Sequence, residues 1–437
     1  MEGGVTFARA HHLALVSGLL AAAAIASSSL IAACEDRTGG DEPGRDASTL
    51  DSAAGPLDSG SEPDGDAGID AAEAGGCPAG STFRKARTSC PGAALSPPAA
   101  LTTALGAAAR GDVVSMAGMD ESTAPCLPVV VCTPNDAPTM LFSDSPEAPS
   151  QDGVLYADSV PAGRYRFYVY HANGGASLRK FPIVVLNQGA QPAKITILRR
   201  GLAAPSTAYV SVGKTVLLDW LADRAPAVVT VPAATRVLLD DALDQLHAGQ
   251  NELVHAIYDV TTDASLKVSF VSVPAAADAA AVTAGLGLLT RDVSHQRGTF
   301  PAADVLIAPA PPSGAAQLKG VQRLRLGLDE VDDTLEGVDA PTGAKQLLLG
   351  NYGMLYRVAL GLPSPATTAI SARGGAWGGA VRTGTTTTAL PTATEQLATT
   401  TDAVVVGSLG GADGGAELHL LTGGGSNLPI DLFFVTP

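Results

Sequence analysis

From residue 150 onward the apolar positions of this chain recur with a period of two. In "GVLYADSVPAGRYRFYVYHANGG", Tyr165, Phe167, Val169 and His171 fall on one face of a strand, and Arg164, Arg166, Tyr168 and Tyr170 on the other. The "NGG" that follows predicts a hairpin. "FPIVVLNQGAQPAKITILRRG" predicts two more strands around "NQG", and "ELVHAIYDVTTDASLKVSFVSV" another pair around "TTDAS". In the last strand Leu266, Val268 and Phe270 alternate with Lys267 and Ser269, as a half-buried antiparallel sheet requires. Within this first unit the period changes to helical once, at "VGKTVLLDWLADRA", where Val216, Leu217, Trp220 and Leu221 share a face.

A connector follows, with the expected helix "PAAADAAAVTAGLGLLTRD" and the proline-rich "APAPPSG". Strands resume at "RLRLG", "QLLLGNYGMLYRVALGL", "TTAISARGG", "DAVVVGSL", "AELHLLT" and "LPIDLFFV". "VVLNQGAQPAKITILRRG" and "VALGLPSPATTAISARGG" each read strand, proline-containing turn, strand and Arg-Gly end, which suggests two units of related design. Short strands at this spacing predict a mainly β protein with two tandem antiparallel, Ig-like β-sandwiches and a few short helices. Expected boundaries are 150–273 and 320–437 for the sandwiches and 274–319 for the connector. The body resembles exported bacterial β-sandwich proteins of surface stalks, through "YHANGG" and "LNQGAQPAKITI". That resemblance implies a fold and no particular function.

Residues 77–149 form a smaller cysteine-containing segment, in which "SPPAALTTALGAAARG" predicts a short helix with a proline start and a glycine stop. Cys77, Cys90, Cys126 and Cys132 are an even set with no C-x-x-C pair, which reads as two disulfides and not as a zinc site. Of the three connectivities, the favoured one joins Cys77 to Cys90 and Cys126 to Cys132.

The start of the chain changes the picture. An apolar run, "LALVSGLLAAAAIASSSLIAAC", ends at Cys34 and has the length of a signal-peptide core plus its cleavage region. Leu30, Ile31, Ala32, Ala33 and Cys34 resemble the lipobox of bacterial lipoproteins. The resemblance implies a signal peptide over 1–33, cleavage before Cys34 and lipidation of its thiol. Glu35 stands where an Asp would favour inner-membrane retention in that family. The implied location is therefore the outer membrane, on its periplasmic or surface face, reached through the lipid anchor.

Charge separates the next segment from the body. The chain has 437 residues and a net charge of −16, and its 46% hydrophobic content leaves only 4% aromatic. Residues 34–76 carry twelve acidic side chains against Arg37 and Arg45, so most of the net charge lies there. With no aromatic residue the segment lacks the apolar surface to offset ordering, and it reads as a disordered, self-repelling tether. The acidity belongs to the tether and offers nucleic acid no binding face. "DGDAGID" begins like a calcium loop, but Gly68 occupies the fifth position, where a ligand is needed.

Catalytic motifs are excluded in turn. "YVSVGKTVLL" ends like a phosphate-binding loop, but Ala208 replaces the required glycine. There is no G-x-S-x-G and no H-E-x-x-H. His171, His247, His255, His295 and His419 are scattered over different elements. Two stretches remain as candidate ligand-binding sites: the strand with Arg166, Tyr168 and Tyr170, whose rings suit stacking on sugars or peptides, and "RGGAWGGAVR" with Arg373 and Trp377. The run "DEVDDTLEGVD", Asp329 to Asp339, reads as a solvated loop before a cation site. The sequence therefore predicts a non-enzymatic envelope lipoprotein without cofactor or metal, which binds or scaffolds a polysaccharide or an envelope protein. Two other readings stand beside it: a hydrolase whose site lies between the sandwiches, with His295 and the acidic run as its ingredients, and a structural subunit of an envelope or secretion assembly.

Overall fold

A computed structural model describes residues 77–87, 93, 95–310, 320–327, 331–362, 364–410 and 417–436. The signal segment, Cys34, the tether and Cys90 lie outside the described residues. All described residues fall within one unit of the chain.

Among the described residues the fold is mainly β, with sheets of eight, seven, five and five strands. Its two β-rich halves each pair a larger sheet with a five-stranded one. In the first half, strand Gly163–Ala172 pairs antiparallel with Leu253–Thr262 over ten residues at the centre of the eight-stranded sheet. The alternation read from the sequence is the one observed. Tyr165, Phe167 and Val169 enter the core shared with Tyr156, Val268 and Phe270 of the facing sheet, and Tyr168 and Tyr170 enter a second core on the opposite side. That second core also holds the strands of the other half, so both faces of this strand are buried.

Three turns differ from expectation. Gly163–Ala172 and Arg179–Lys180 belong to different sheets, as do Ile183–Leu186 and Ala193–Leu202, and Leu253–Thr262 and Leu266–Pro274. "NGG", "NQG" and "TTDAS" are therefore corners between layers and not hairpins. At the first corner the Asn173 amide donates to the carbonyls of Ser177 and Ala248, and its oxygen accepts from Gly175 N, which turns the chain out of the sheet.

The sheets also cross the boundaries expected at 149, 274 and 319. Thr139–Ser143 joins the eight-stranded sheet parallel to Gly163–Ala172. Arg297–Phe300 and the hairpin Leu335–Asp339 with Ala344–Leu348 complete that sheet. Conversely, Ser81–Arg87 and Val129–Pro134 enter the seven-stranded sheet, next to Asp304–Pro309. The stretch read as a connector thus contains two strands, and its helix is the single turn Ala279–Val282 followed by a 3-10 turn. Pairing is mostly antiparallel; Asp304–Pro309 with Leu355–Val358 is a second parallel pair.

Both longer helices expected from the sequence form. Helix α1, Ala99–Ala107, buries Leu101 and Leu105. Helix α2, Tyr209–Leu221, buries Val216, Leu217, Trp220 and Leu221 between the eight-stranded and seven-stranded sheets. Cys77 is bonded to Cys132, with Cα atoms 6.0 Å apart, which overturns both favoured pairings. The bridge is non-local because Ser81–Arg87 and Val129–Pro134 are adjacent antiparallel strands, so sheet pairing, not sequence proximity, brings the two thiols together. Cys126 is disulfide-bonded as well.

Candidate functional site

A pocket of about 240 Å³ opens where the end of strand Gly163–Ala172 meets three loops. Phe142, Tyr168, Tyr170, Tyr209 and Tyr352 supply its rings; Asp144, Glu147 and His295 supply its charged groups; residues 424–427 close one side. The strand positions Tyr168 and Tyr170 on one face by simple alternation. Parallel pairing then sets Phe142 opposite Tyr168, and the two rings stack with centroids 4.5 Å apart.

The fourth wall depends on glycine. The run "TGGGSN", residues 422–427, threads between α2 and the two tyrosines. A Cβ on Gly424 would overlap the Tyr170 ring, and one on Gly213 would overlap the Gly424 carbonyl. Gly213 thus has a packing role, which accounts for the "GKT" that imitates a phosphate loop. Gly425 adopts φ +78° against the Tyr209 carbonyl. Ser426 Oγ accepts from Gly378 N at 3.1 Å and donates to the Gly378 carbonyl at 2.6 Å, fixing the loop's far end.

The loops at 144–147 and 292–295 are tied together by Asp292. Its carboxylate accepts from the backbone N–H of Glu147 at 2.8 Å, of Ser294 at 3.0 Å and of His295 at 2.8 Å. His295 then sits between two carboxylates, Nε2 2.9 Å from Glu147 and Nδ1 3.0 Å from Asp292. The Glu147 hydrogen bond outweighs burial and pushes the imidazole up to about 9, so it carries a proton at neutral pH. At Asp292, burial is outweighed by the backbone donors of Glu147 and His295 together with the His295 imidazolium, and its carboxyl lies below the ordinary range.

Asp144 is the opposite case. Part of the residue faces the cavity, but Oδ1 is sealed from solvent and has no hydrogen-bond partner among the described residues. Burial pushes its carboxyl well above the ordinary range; nearby His295 lowers it, and Glu147 and Asp292 raise it further. Burial likewise raises the phenols of Tyr168 and Tyr170, which stay protonated. Tyr352 and Tyr209 donate to the carbonyls of Ser426 and Asn251, each at 2.9 Å, leaving their rings as the groups presented to the pocket.

The residues singled out from the sequence are placed unevenly. Tyr168 and Tyr170 line the pocket, but they are 1% and 8% exposed and form no open stacking platform. Arg166 is fully buried, bidentate to Asp259 and bonded to Asp304 at 2.8 Å and to the Gly353 carbonyl at 2.8 Å, with Trp220 4.8 Å away. Trp377 is buried in the larger core, and Arg373 reaches Glu121 at 3.2 Å. Neither lines the pocket, although their segment anchors Ser426 and Asn427 through Gly378 and Ala376. In the acidic run, Asp332 accepts from Tyr356 and Asn351, and Asp339 pairs with Arg297. Both are buried. They form neither a solvated loop nor a part of the pocket; Asp329 and Glu330 lie outside the described residues.

Sequence reading missed Asp144, Glu147, Tyr209, Tyr352 and the 422–427 run. Only the three consecutive glycines beside Ser426 carried a local signal, a backbone that must pass close to bulky neighbours.

No family model matches the chain, and no curated protein matches it. Among solved structures, vicilin from Corylus avellana (hazelnut) aligns over 68% of this chain and 86% of that chain at 11% identity, with a TM-score of 0.10. At that score the likeness carries no argument.

Proposed function

We propose that this is an envelope lipoprotein, exported and anchored to the outer membrane through Cys34, whose folded body binds a small ligand in the tyrosine-walled pocket. The observation that carries the reading is a cavity walled by aromatic rings and lined by Asp144, one of whose carboxyl oxygens is buried and has no partner among the described residues. Apolar walls with few polar groups aimed inward are the usual form of a small-molecule site. The acidic tether serves as a spacer that holds the body off the anionic membrane surface. A polymer-binding platform fits less well, because the rings lie under the 422–427 segment.

Binding is favoured over general-base catalysis by His295, which is held between two carboxylates. A general base works best with a pKa near the operating pH. An imidazole held at about 9 between two carboxylates keeps its proton and acts as a fixed charge. A second reading is a hydrolase using the same pocket, favoured by Asp144 and Glu147, neighbouring carboxyl groups in contrasting environments. That reading requires turnover by the wild type that Asp144→Asn abolishes.

The test is a thermal-shift panel of monosaccharides, amino acids and small amines on the full chain and on Tyr170→Ala. A compound that raises Tm in the wild type and not in the variant supports the pocket. A panel without any such compound overturns it and leaves scaffolding of an envelope protein. Labelling with a radioactive fatty acid, lost in Cys34→Ser, tests the anchor.

A further inference from the structure

We propose that the tyrosine pocket is a site for a small organic cation, an amine or quaternary ammonium group, with Asp144 as its counter-ion. This rests on the pocket reading above and specifies its ligand class. Three independent features of the site point the same way.

The first is charge. Among the described residues no Lys or Arg lines the pocket, and the one cationic side chain there, His295, is already held by Glu147 and Asp292. Glu147 and Asp292 already outnumber the one imidazolium, so an entering anion meets uncompensated repulsion, and Asp144 adds a third carboxyl group that a cation can draw into its ionised form.

The second is the walls. Aromatic rings present a negative face, and a cation within about 6 Å of a ring centroid gains roughly 0.5–2 kcal/mol, the upper value when desolvated. Tyr209 and Tyr352 have their hydroxyls committed to backbone carbonyls, and Tyr170 meets Tyr209 edge-on with centroids 6.4 Å apart. Walls of this kind beside a carboxylate suit an ammonium group, which needs a negative enclosure more than directed hydrogen bonds. The third is size: about 240 Å³ is small for a drug-like ligand and fits a compact head group.

Proton traffic gives the proposal its signature. Asp144 faces Glu147 on its own loop, Asp292 and His295 on the adjacent loop, Tyr168 and Tyr170 on the strand, and Tyr352 beyond. His171, held by Ser143 and the Pro146 carbonyl, is pushed by burial down to about 3 and stays neutral. The free carboxyl of Asp144 is biased toward its protonated form, and a bound cation favours the carboxylate. Binding then releases a proton, and affinity rises with pH until Asp144 is ionised in the free protein. A neutral ligand that accepts the Asp144 proton shows the opposite slope.

The experiment is calorimetric titration of the full chain with tetramethylammonium, choline and methyl glucoside at pH 5.5, 6.5 and 7.5, in two buffers of different ionisation enthalpy. The expected result is cation binding that tightens with pH and releases up to one proton. Asp144→Asn weakens it at least tenfold and abolishes the release. The buffer dependence of the wild type reports the same proton without relying on the folding of any variant. Binding of methyl glucoside alone, affinity that falls with pH, or cation affinity unchanged in Asp144→Asn overturns the cation assignment. If the glucoside binds in a Tyr170-dependent way, the pocket reading survives. If nothing in the thermal-shift panel or the titration binds, both fall.

Discussion

Arg166 and Asp259 face one another across neighbouring strands and form a bidentate ion pair at 2.7 and 3.0 Å, with both side chains closed to solvent. Asp304, on the seven-stranded sheet, takes the remaining guanidinium nitrogen, so one arginine joins the two halves of the body. Arg166→Met leaves two carboxylates buried without a partner, and it is expected to cost about 3–5 kcal/mol in urea unfolding. Arg164→Ala, which breaks a largely exposed pair with Asp136, is expected to cost under about 1 kcal/mol. Equal small losses would show that the buried cluster does not hold the halves together.

Acid should destabilise the body through two buried histidines. Burial pushes His255 down to about 4 and His171 down to about 3, whereas an unfolded histidine titrates near about 6.5. Their contribution is full above that value and is lost as pH falls toward the folded pKa. By pH 5 the loss is roughly 2 kcal/mol for each. Chemical denaturation of the wild type and of His255→Gln between pH 7 and 5 checks this: the variant should have the shallower acid slope.

His295 has the opposite sign. Its stabilising charge is complete below the unfolded value and fades as pH rises through about 9. Glu147→Gln removes the largest cause of that shift. Proton NMR of the imidazole should then find the titration midpoint lowered toward the ordinary range, and an unchanged midpoint would mean that Glu147 does not hold the proton in solution.

Cys132→Ser opens a bridge with a sequence separation of 55 and is expected to lower stability by about 2–4 kcal/mol. Peptide mapping of the unreduced protein should yield a fragment linking Cys77 to Cys132. A fragment linking Cys126 to Cys132 would contradict the pairing of the two strands that carry the bridge.

Gly424→Ala drives a methyl group into the Tyr170 ring. The expected cost is about 1–3 kcal/mol from forced repacking, accompanied by loss of ligand binding in the thermal-shift panel. Retained binding with unchanged stability would place the 422–427 loop away from the tyrosines.

What the sequence determined by itself was which way side chains face within single strands and within the two longer helices. Alternation assigned Tyr165, Phe167 and Val169 to one face and Tyr168 and Tyr170 to the other, because successive strand side chains must point in opposite directions. Apolar spacing marked α2, because a helix buries one stripe, and a proline start with a glycine stop marked α1. The tertiary structure alone decided which strands pair. A corner between two layers has the same local pattern as a hairpin within one sheet, since both strands still bury one face in a shared core. "NGG", "NQG" and "TTDAS" were therefore ambiguous by nature. Cys77 with Cys132, Arg166 with Asp259, and Asp144 with His295 and Tyr170 are separated by 26 to 151 positions, and no local period encodes such a meeting. The pocket arises where parallel pairing, a glycine run and two tied loops converge. Its chemistry is set by how much water that convergence excludes from Asp144.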